Sequence, residues 1–156
     1  MAPTRERTPW LFLAAFCLVF YSTGAACVES FVNYPSWRWI GQGEFLAYHQ
    51  GIDPLVIRFL ALPMLAGFLV TISLLRFRPA QVPGWSVGAA LALQLVVLVA
   101  TVAIHLPIQR QFNTAGFSAP LLDELIATNF WLRRVPYFAN AALFVWMMGR
   151  ALRKAN

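Results

Sequence analysis

The stretch WLFLAAFCLVFYSTGAACV, residues 10–28, contains no charged side chain. A helix needs about 20 apolar residues to cross the hydrocarbon core of a bilayer. The run is longer than the roughly 7–15 apolar residues at the centre of a signal peptide. It therefore predicts a helix that stays in the mature chain and spans a membrane.

Three further apolar segments follow this first one. Apolar residues make up 60% of the chain and charged residues 12%, against about 45–50% and about 25% in a soluble domain. This composition excludes an ordinary soluble domain and a disordered chain. We predict an all-α polytopic membrane protein, a single domain over residues 1–156 with four transmembrane helices in a bundle. The predicted spans are about 10–29, 53–75, 85–105 and 132–150.

The connections predict an orientation. An even number of spans places both termini on one side, together with the short connection near Pro79 and Pro83. That side has more Lys and Arg than the other, which favours cytoplasmic termini and, as the setting, a bacterial inner membrane. Membrane lipid is then a partner. In the second outer loop, Ser118 and Pro120 predict the start of a short interfacial helix.

Ionisable residues reach one depth in all four predicted spans. At about 1.5 Å per residue, Glu29, Arg58, His105 and Arg134 lie roughly 24–30 Å from the inner ends of their helices. Such groups are costly in lipid unless they are paired, hydrated or inside the bundle. The expected pairs are Glu29 with Arg58 or Arg134, and His105 with a carboxylate. The alternative is that these side chains only anchor the helices at the membrane interface.

Two short motifs flank this layer. They are HLPIQ at residues 105–109 and NFWLR at residues 129–133. With the Gly24–Glu29 stretch and residues 35–49 between the first two spans, they resemble the anthrone-oxygenase-like family of four-helix integral membrane proteins. Pro107 and Gln109 would stand in the family's Pro-x-Asn-type motif. Asn129, Trp131 and Arg133 would stand in its second motif, which leads into the fourth helix.

The resemblance implies oxidation of a polyphenolic anthrone to an anthraquinone without a metal or flavin. On this hypothesis a polar site at the outer interface binds a quinone-like or polyphenolic compound. His105 or Glu29 would act as general base, and Arg133 or Arg58 would hold the developing oxyanion. The predicted substrate-binding residues are Arg58, Gln109, Asn129, Trp131 and His49.

Other functions stay open from the sequence. The chain could instead be a non-catalytic subunit of a larger membrane protein complex, with the polar layer as a docking surface. The further alternative is a small four-helix transporter or exporter. The sequence holds two histidines without metal-ligand spacing and no nucleotide-binding motif, so we predict no metal and no cofactor. It also offers no basic helix for nucleic acid, so none is expected as a partner.

Overall fold

The computed structural model describes residues 7–153, which form four long helices, α1 to α4 in chain order. Each begins as α-helix, passes through one π-helical turn of five residues and then continues. The segments before the π turns are Arg7–Val28, Gln42–Val56, Gly84–Ala100 and Ala119–Asn129. The π turns are Glu29–Asn33, Ile57–Ala61, Thr101–His105 and Phe130–Arg134. The segments after them are Tyr34–Ser36 with the 3₁₀ turn Trp37–Trp39, Leu62–Phe77, Leu106–Ala115 and Val135–Leu152.

The four helices form an antiparallel bundle. Helix α1 packs against α2 and α4, and α3 packs against the same two neighbours. Connections of a few residues between antiparallel helices are typical of such bundles. We call the end that holds Arg7, Arg153 and the connection 78–83 the proximal end. The distal end holds the connections 40–41 and 116–118.

Three helices are long and apolar enough to cross a membrane, judged by length and composition. They are α1 from Pro9, α2 and α3. Helix α4 is not among them, because Asn140 and Arg150 interrupt its apolar segment. The all-α prediction is confirmed for residues 7–153, which contain no strand.

The predicted spans leave residues 30–52 and 106–131 as long connections at the distal end, and this prediction is wrong. Only residues 40–41 and 116–118 leave the helical conformation at this end. Ser118 does cap a helix with Pro120 in its first turn, as predicted. That helix is not a separate interfacial element, because the backbone stays helical through Asn129 and the π turn into α4. The proline at 136 is accommodated by the π turn and does not break the helix.

Two packed clusters close the bundle at its ends. The proximal apolar cluster consists of Phe12, Ala15, Val19, Leu74, Val82, Val87, Ala90, Phe144 and Met147. The distal aromatic cluster consists of Tyr34, Trp37, Phe45, Ile108, Phe112, Leu122 and Leu125. A smaller apolar group around Leu60, Val97 and Tyr137 lies between them. The polar site described next lies between this group and the distal cluster.

Candidate functional site

A proline stands in the same register after each π turn. Pro35, Pro63, Pro107 and Pro136 each follow the last residue of a π turn by two positions. Proline has no N–H to donate, and in an α-helix its ring clashes with the carbonyl four residues earlier. A π turn relieves that conflict locally, and π turns are frequent at functional sites. The sequence thus produces four distorted turns, one in each helix.

Neighbouring helices supply donors to carbonyls near these prolines. The Tyr21 hydroxyl on α1 donates to the carbonyl oxygen of Phe59, four residues before Pro63, at 2.9 Å. The Arg134 guanidinium on α4 donates to the Ser30 carbonyl, five residues before Pro35, at 3.1 Å. Such partners are what allow prolines inside membrane helices. The distortions are therefore built into the packing between helices.

The four π turns surround one chamber of about 70 Å³. This volume admits several water molecules. Every long helix contributes at least one polar side chain to the wall. These side chains are Glu29 and Tyr34 from α1, His49 and Asp53 from α2, Thr101, His105 and Gln109 from α3, and Arg133 from α4. We call this cavity the polar chamber.

Glu29 and Arg133 are the two buried charged side chains of the chamber wall, and each is only 5% exposed, whereas Asp53 is partly exposed. The Glu29 carboxylate accepts a hydrogen bond from Asn33 Nδ2 at 2.7 Å. Arg133 Nη1 donates to the Tyr34 hydroxyl at 3.1 Å, and its Nε has no partner. The ion pairs predicted for Glu29 do not form, since the one salt bridge among residues 7–153 joins Arg38 and Asp123 at the surface. A bound group that accepts from Arg133 and donates to Glu29 would satisfy both.

His105 is the second group with spare hydrogen-bonding capacity. Its side chain is 2% exposed and forms part of the chamber wall. Its Nε2 makes only a long contact of 3.4 Å with Thr128 Oγ1, and its Nδ1 has no partner among the described side chains and backbone. The predicted pairing of His105 with a carboxylate is absent from this part of the chain. The ring nitrogen that carries no hydrogen can accept a hydrogen bond or a proton from a ligand in the chamber.

His49 is held in a different way, by a chain of hydrogen bonds. Asn113 Nδ2 donates to Asp53 Oδ2 at 3.1 Å, which turns the Asn113 oxygen toward His49 Nδ1 at 2.7 Å. That nitrogen must therefore carry a proton. The other nitrogen, Nε2, lies 2.6 Å from the Gln109 side-chain oxygen. Trp37, Phe45 and Phe112 surround the ring. His49 is thus fixed in orientation.

The remaining predicted site residues do not gather at the chamber. Arg58 is exposed and lies beside the Phe59 ring. Trp131 is 69% exposed. Asn129 is buried but donates to the Ser30 hydroxyl at 2.8 Å, where it ties α4 to α1. The structure therefore brings together Glu29, His49, His105, Gln109 and Arg133, and it leaves Arg58, Asn129 and Trp131 outside the chamber wall.

Five contributors to the site were not predicted from the sequence: Tyr34, Trp37, Asp53, Thr101 and Asn113. A signal for one of them was present. His105 and Gln109 share a helix face at a spacing of four, and Asn113 continues the same series. Tyr34 and Trp37 gave no such signal, because residues 30–52 were interpreted as a loop.

Within residues 7–153, no three His, Cys, Asp or Glu side chains lie close enough together to hold a metal ion. No protein-family model matches the chain, and no curated protein or solved structure matches it.

Proposed function

We propose that this chain is a four-span integral membrane protein whose polar chamber binds the oxygen-bearing edge of a lipophilic aromatic compound and removes a proton from it. One observation carries the proposal. Four helices each bring ionisable or hydrogen-bonding side chains to one chamber, where Arg133 Nε and His105 Nδ1 are buried without partners. Buried polar groups in proteins are nearly always satisfied, so unpartnered groups around a cavity favour a ligand site.

The surface of α4 supports a fourth span. Its outward face carries exposed apolar side chains, with Phe138 at 50% and Val145 at 55%. Large exposed apolar faces mark contact with lipid or protein. Arg76, Arg78, Arg150 and Arg153 lie at the proximal end, which favours a cytoplasmic proximal end. The chamber then lies near the outer face.

The chemistry follows from the positions of Arg133 and His105. An oxygen of the bound ring system accepts a hydrogen bond from Arg133. His105 takes the proton of an acidic O–H or C–H group, and the electron pair remains delocalised in the ring system as a phenolate or enolate. Arg133 stabilises the negative oxygen in a site shielded from water. Arg58 does not serve this role in our proposal, because its side chain is exposed.

Transport receives less support from the geometry. Polar side chains continue below the chamber to Gln94 and Asn140, which border two cavities of about 20 Å³ each. The proximal apolar cluster fills the bundle beyond them. A transport path would have to open this packed half. A subunit that served only for docking would not need a chamber with buried, unpartnered donors.

Binding to Arg133 is tested with anthrone as probe and the purified protein in lipid nanodiscs. Arg133→Gln should weaken anthrone binding by about 10- to 100-fold, because hydrogen bonds to charged groups contribute about 1.5–3 kcal/mol. Arg58→Gln is the matched control, since it removes the same charge outside the chamber, and it should bind as the wild type does. Equal affinity of the two variants, or no binding by the wild type, would contradict the proposal.

Catalysis is tested with the same probe and dissolved O₂, which together give anthraquinone and water. His105→Ala should bind anthrone normally but lower the rate of anthraquinone formation about 100-fold or more, which is the usual contribution of a general base. Absorbance of the product reports the rate. An unchanged rate in correctly folded His105→Ala protein would remove His105 from the reaction.

A further inference from the structure

A groove on the outside of the bundle runs between α1 and α2. It has a volume of about 630 Å³ and is mainly apolar. Phe20, Tyr21 and Gly24 line it from α1, and Leu55 and Phe59 line it from α2. The exposed fraction of Leu55 is 52% and that of Phe59 is 53%. In a bilayer these side chains would face lipid chains, not water.

The groove and the polar chamber have one wall in common. Glu29, Ile52, Val56 and Leu60 line both of them. These four residues therefore lie between the groove and the chamber. The buried Glu29 carboxylate provides the polar part of this wall, and the other three residues are apolar.

Local features explain why the helices leave this space. Gly24 has no side chain, and a Cβ added there would meet no heavy atom within 4 Å. The π turns of both helices lie beside the groove and widen their backbones. The hydrogen bond from the Tyr21 hydroxyl to the Phe59 carbonyl fixes the spacing of α1 and α2.

We propose that this groove holds the apolar tail of the compound whose head reaches the polar chamber. The inference rests on the proposed function and specifies its ligand class: a phenolic or hydroquinone head, which carries the acidic O–H, or the corresponding quinone, with a single alkyl or isoprenoid chain. The head enters sideways from the bilayer, past Glu29, Val56 and Leu60. The tail stays in the groove, where it contacts apolar side chains on both helices. An empty groove in a bilayer would fill with lipid hydrocarbon, so a ligand tail replaces one chain with another at little cost.

The test uses two quinones with the same head. One is decylubiquinone, which has a ten-carbon tail, and the other is the tail-less 2,3-dimethoxy-5-methyl-1,4-benzoquinone. Both are titrated into nanodiscs, with concentrations expressed per lipid so that partitioning cancels. The wild type should bind the tailed quinone at least tenfold more tightly than the tail-less one.

Two variants fill the groove from opposite sides, Gly24→Phe on α1 and Leu55→Trp on α2. Each should remove most of the advantage of the tailed quinone and leave binding of the tail-less quinone unchanged. Gly88→Phe is the matched control, since Gly88 is exposed on α3 and a Cβ there also meets nothing within 4 Å. It should bind both quinones as the wild type does.

The outcomes separate the two proposals. If the tail-less quinone binds through Arg133 but Gly24→Phe and Leu55→Trp leave the tailed quinone unaffected, the tail groove is wrong and the chamber stands. Equal affinity of the wild type for the two quinones would overturn the tail groove in the same way. If neither quinone binds the wild type, the quinone-binding chamber and the groove are both overturned.

Discussion

Arg133 is the residue whose environment departs furthest from what a charged side chain normally requires. Its guanidinium is buried, donates to a tyrosine hydroxyl and has no carboxylate within ion-pair distance. Removing an ion from water costs several kcal/mol unless close partners compensate. Burial of Arg133 therefore lowers the free energy of unfolding, and a ligand oxygen that accepts from Arg133 would offset part of this loss.

The hydrogen bonds of Asn113 to His49 and Asp53 can be tested by substitution of one residue. Asn113→Leu removes the acceptor of His49 Nδ1 and the donor to Asp53. An unsatisfied buried polar group costs about 1–3 kcal/mol, so this variant should unfold at a lower denaturant concentration in detergent than the wild type does.

The control for Asn113→Leu is Gln50→Ala, because Gln50 donates only to the backbone carbonyl of Asn113 and is exposed. The Gln50→Ala variant should unfold at the same denaturant concentration as the wild type. Equal stability of Asn113→Leu and Gln50→Ala would mean that the chain of hydrogen bonds does not hold His49 in place.

The depths of the site residues could be predicted from the sequence, but the directions of their side chains could not. The depth argument placed Glu29 and His105 at one level, and both line the chamber. The same argument could not give the direction of each side chain around its helix axis. A π turn adds a residue, and one residue is about 100° of rotation in a helix with 3.6 residues per turn. Arg58 is exposed at the level where an ion pair with Glu29 was expected.

The four helices share one construction, a π turn with a proline two residues beyond it. The spans predicted from the sequence end before Pro107 and leave Pro35 in the connection between the first two helices. A proline does interrupt an isolated α-helix. Here the π turn and donors from adjacent helices absorb the defect, so the helices continue. Those donors are supplied by packing, which a single-sequence pattern does not contain.

Deletion of Ala103 tests this construction. Ala103 is exposed within the π turn Thr101–His105. Without it, the turn must close as α-helix, and Pro107 then clashes with the preceding turn at a cost of about 3 kcal/mol. The deletion variant should therefore unfold at a lower temperature than the wild type when thermal unfolding is followed by circular dichroism.

A second change separates the proline from the missing residue. Adding Pro107→Ala to the deletion should restore most of the stability, because the clash disappears. The double variant should still form anthraquinone from anthrone far more slowly than the wild type, since His105 no longer lies in a π turn. If the deletion alone is as stable as the wild type, the π turn does not serve to accommodate Pro107.

For the molecule as a whole, composition and apolar runs were enough to predict an all-helical bundle and its three long apolar helices. They did not suffice for the distal end, where helix replaces the expected loops. Trp37 and Phe45 explain the difference: both are 1% exposed or less and pack in the distal aromatic cluster. From the sequence alone, aromatic residues near a membrane edge are typical of an interfacial belt, and packing contacts between helices decide otherwise here.

The crossing of α4 is tested by labelling with a membrane-impermeant maleimide. Cys17 and Cys27 are first replaced by alanine, and single cysteines are introduced by Ala119→Cys and Leu152→Cys at exposed positions on the two ends of α4. In intact spheroplasts, Ala119→Cys should be labelled and Leu152→Cys should not. Permeabilisation should expose both.

Labelling of both cysteines in intact spheroplasts would place the two ends of α4 on one side of the membrane and would contradict a fourth span. Labelling of Leu152→Cys alone would keep the span and reverse the orientation.

The proximal apolar cluster has an electrical consequence. Its packed side chains, Leu74, Phe144 and Met147 among them, leave the charges of the chamber near the distal edge of the bundle. An elementary charge that crosses the full membrane gains or loses about 2.3 kcal/mol per 100 mV. A proton exchanged between the chamber and the nearer aqueous phase crosses only a small part of that drop. For the proposed function and orientation, we therefore expect the rate of proton removal to depend little on the membrane voltage.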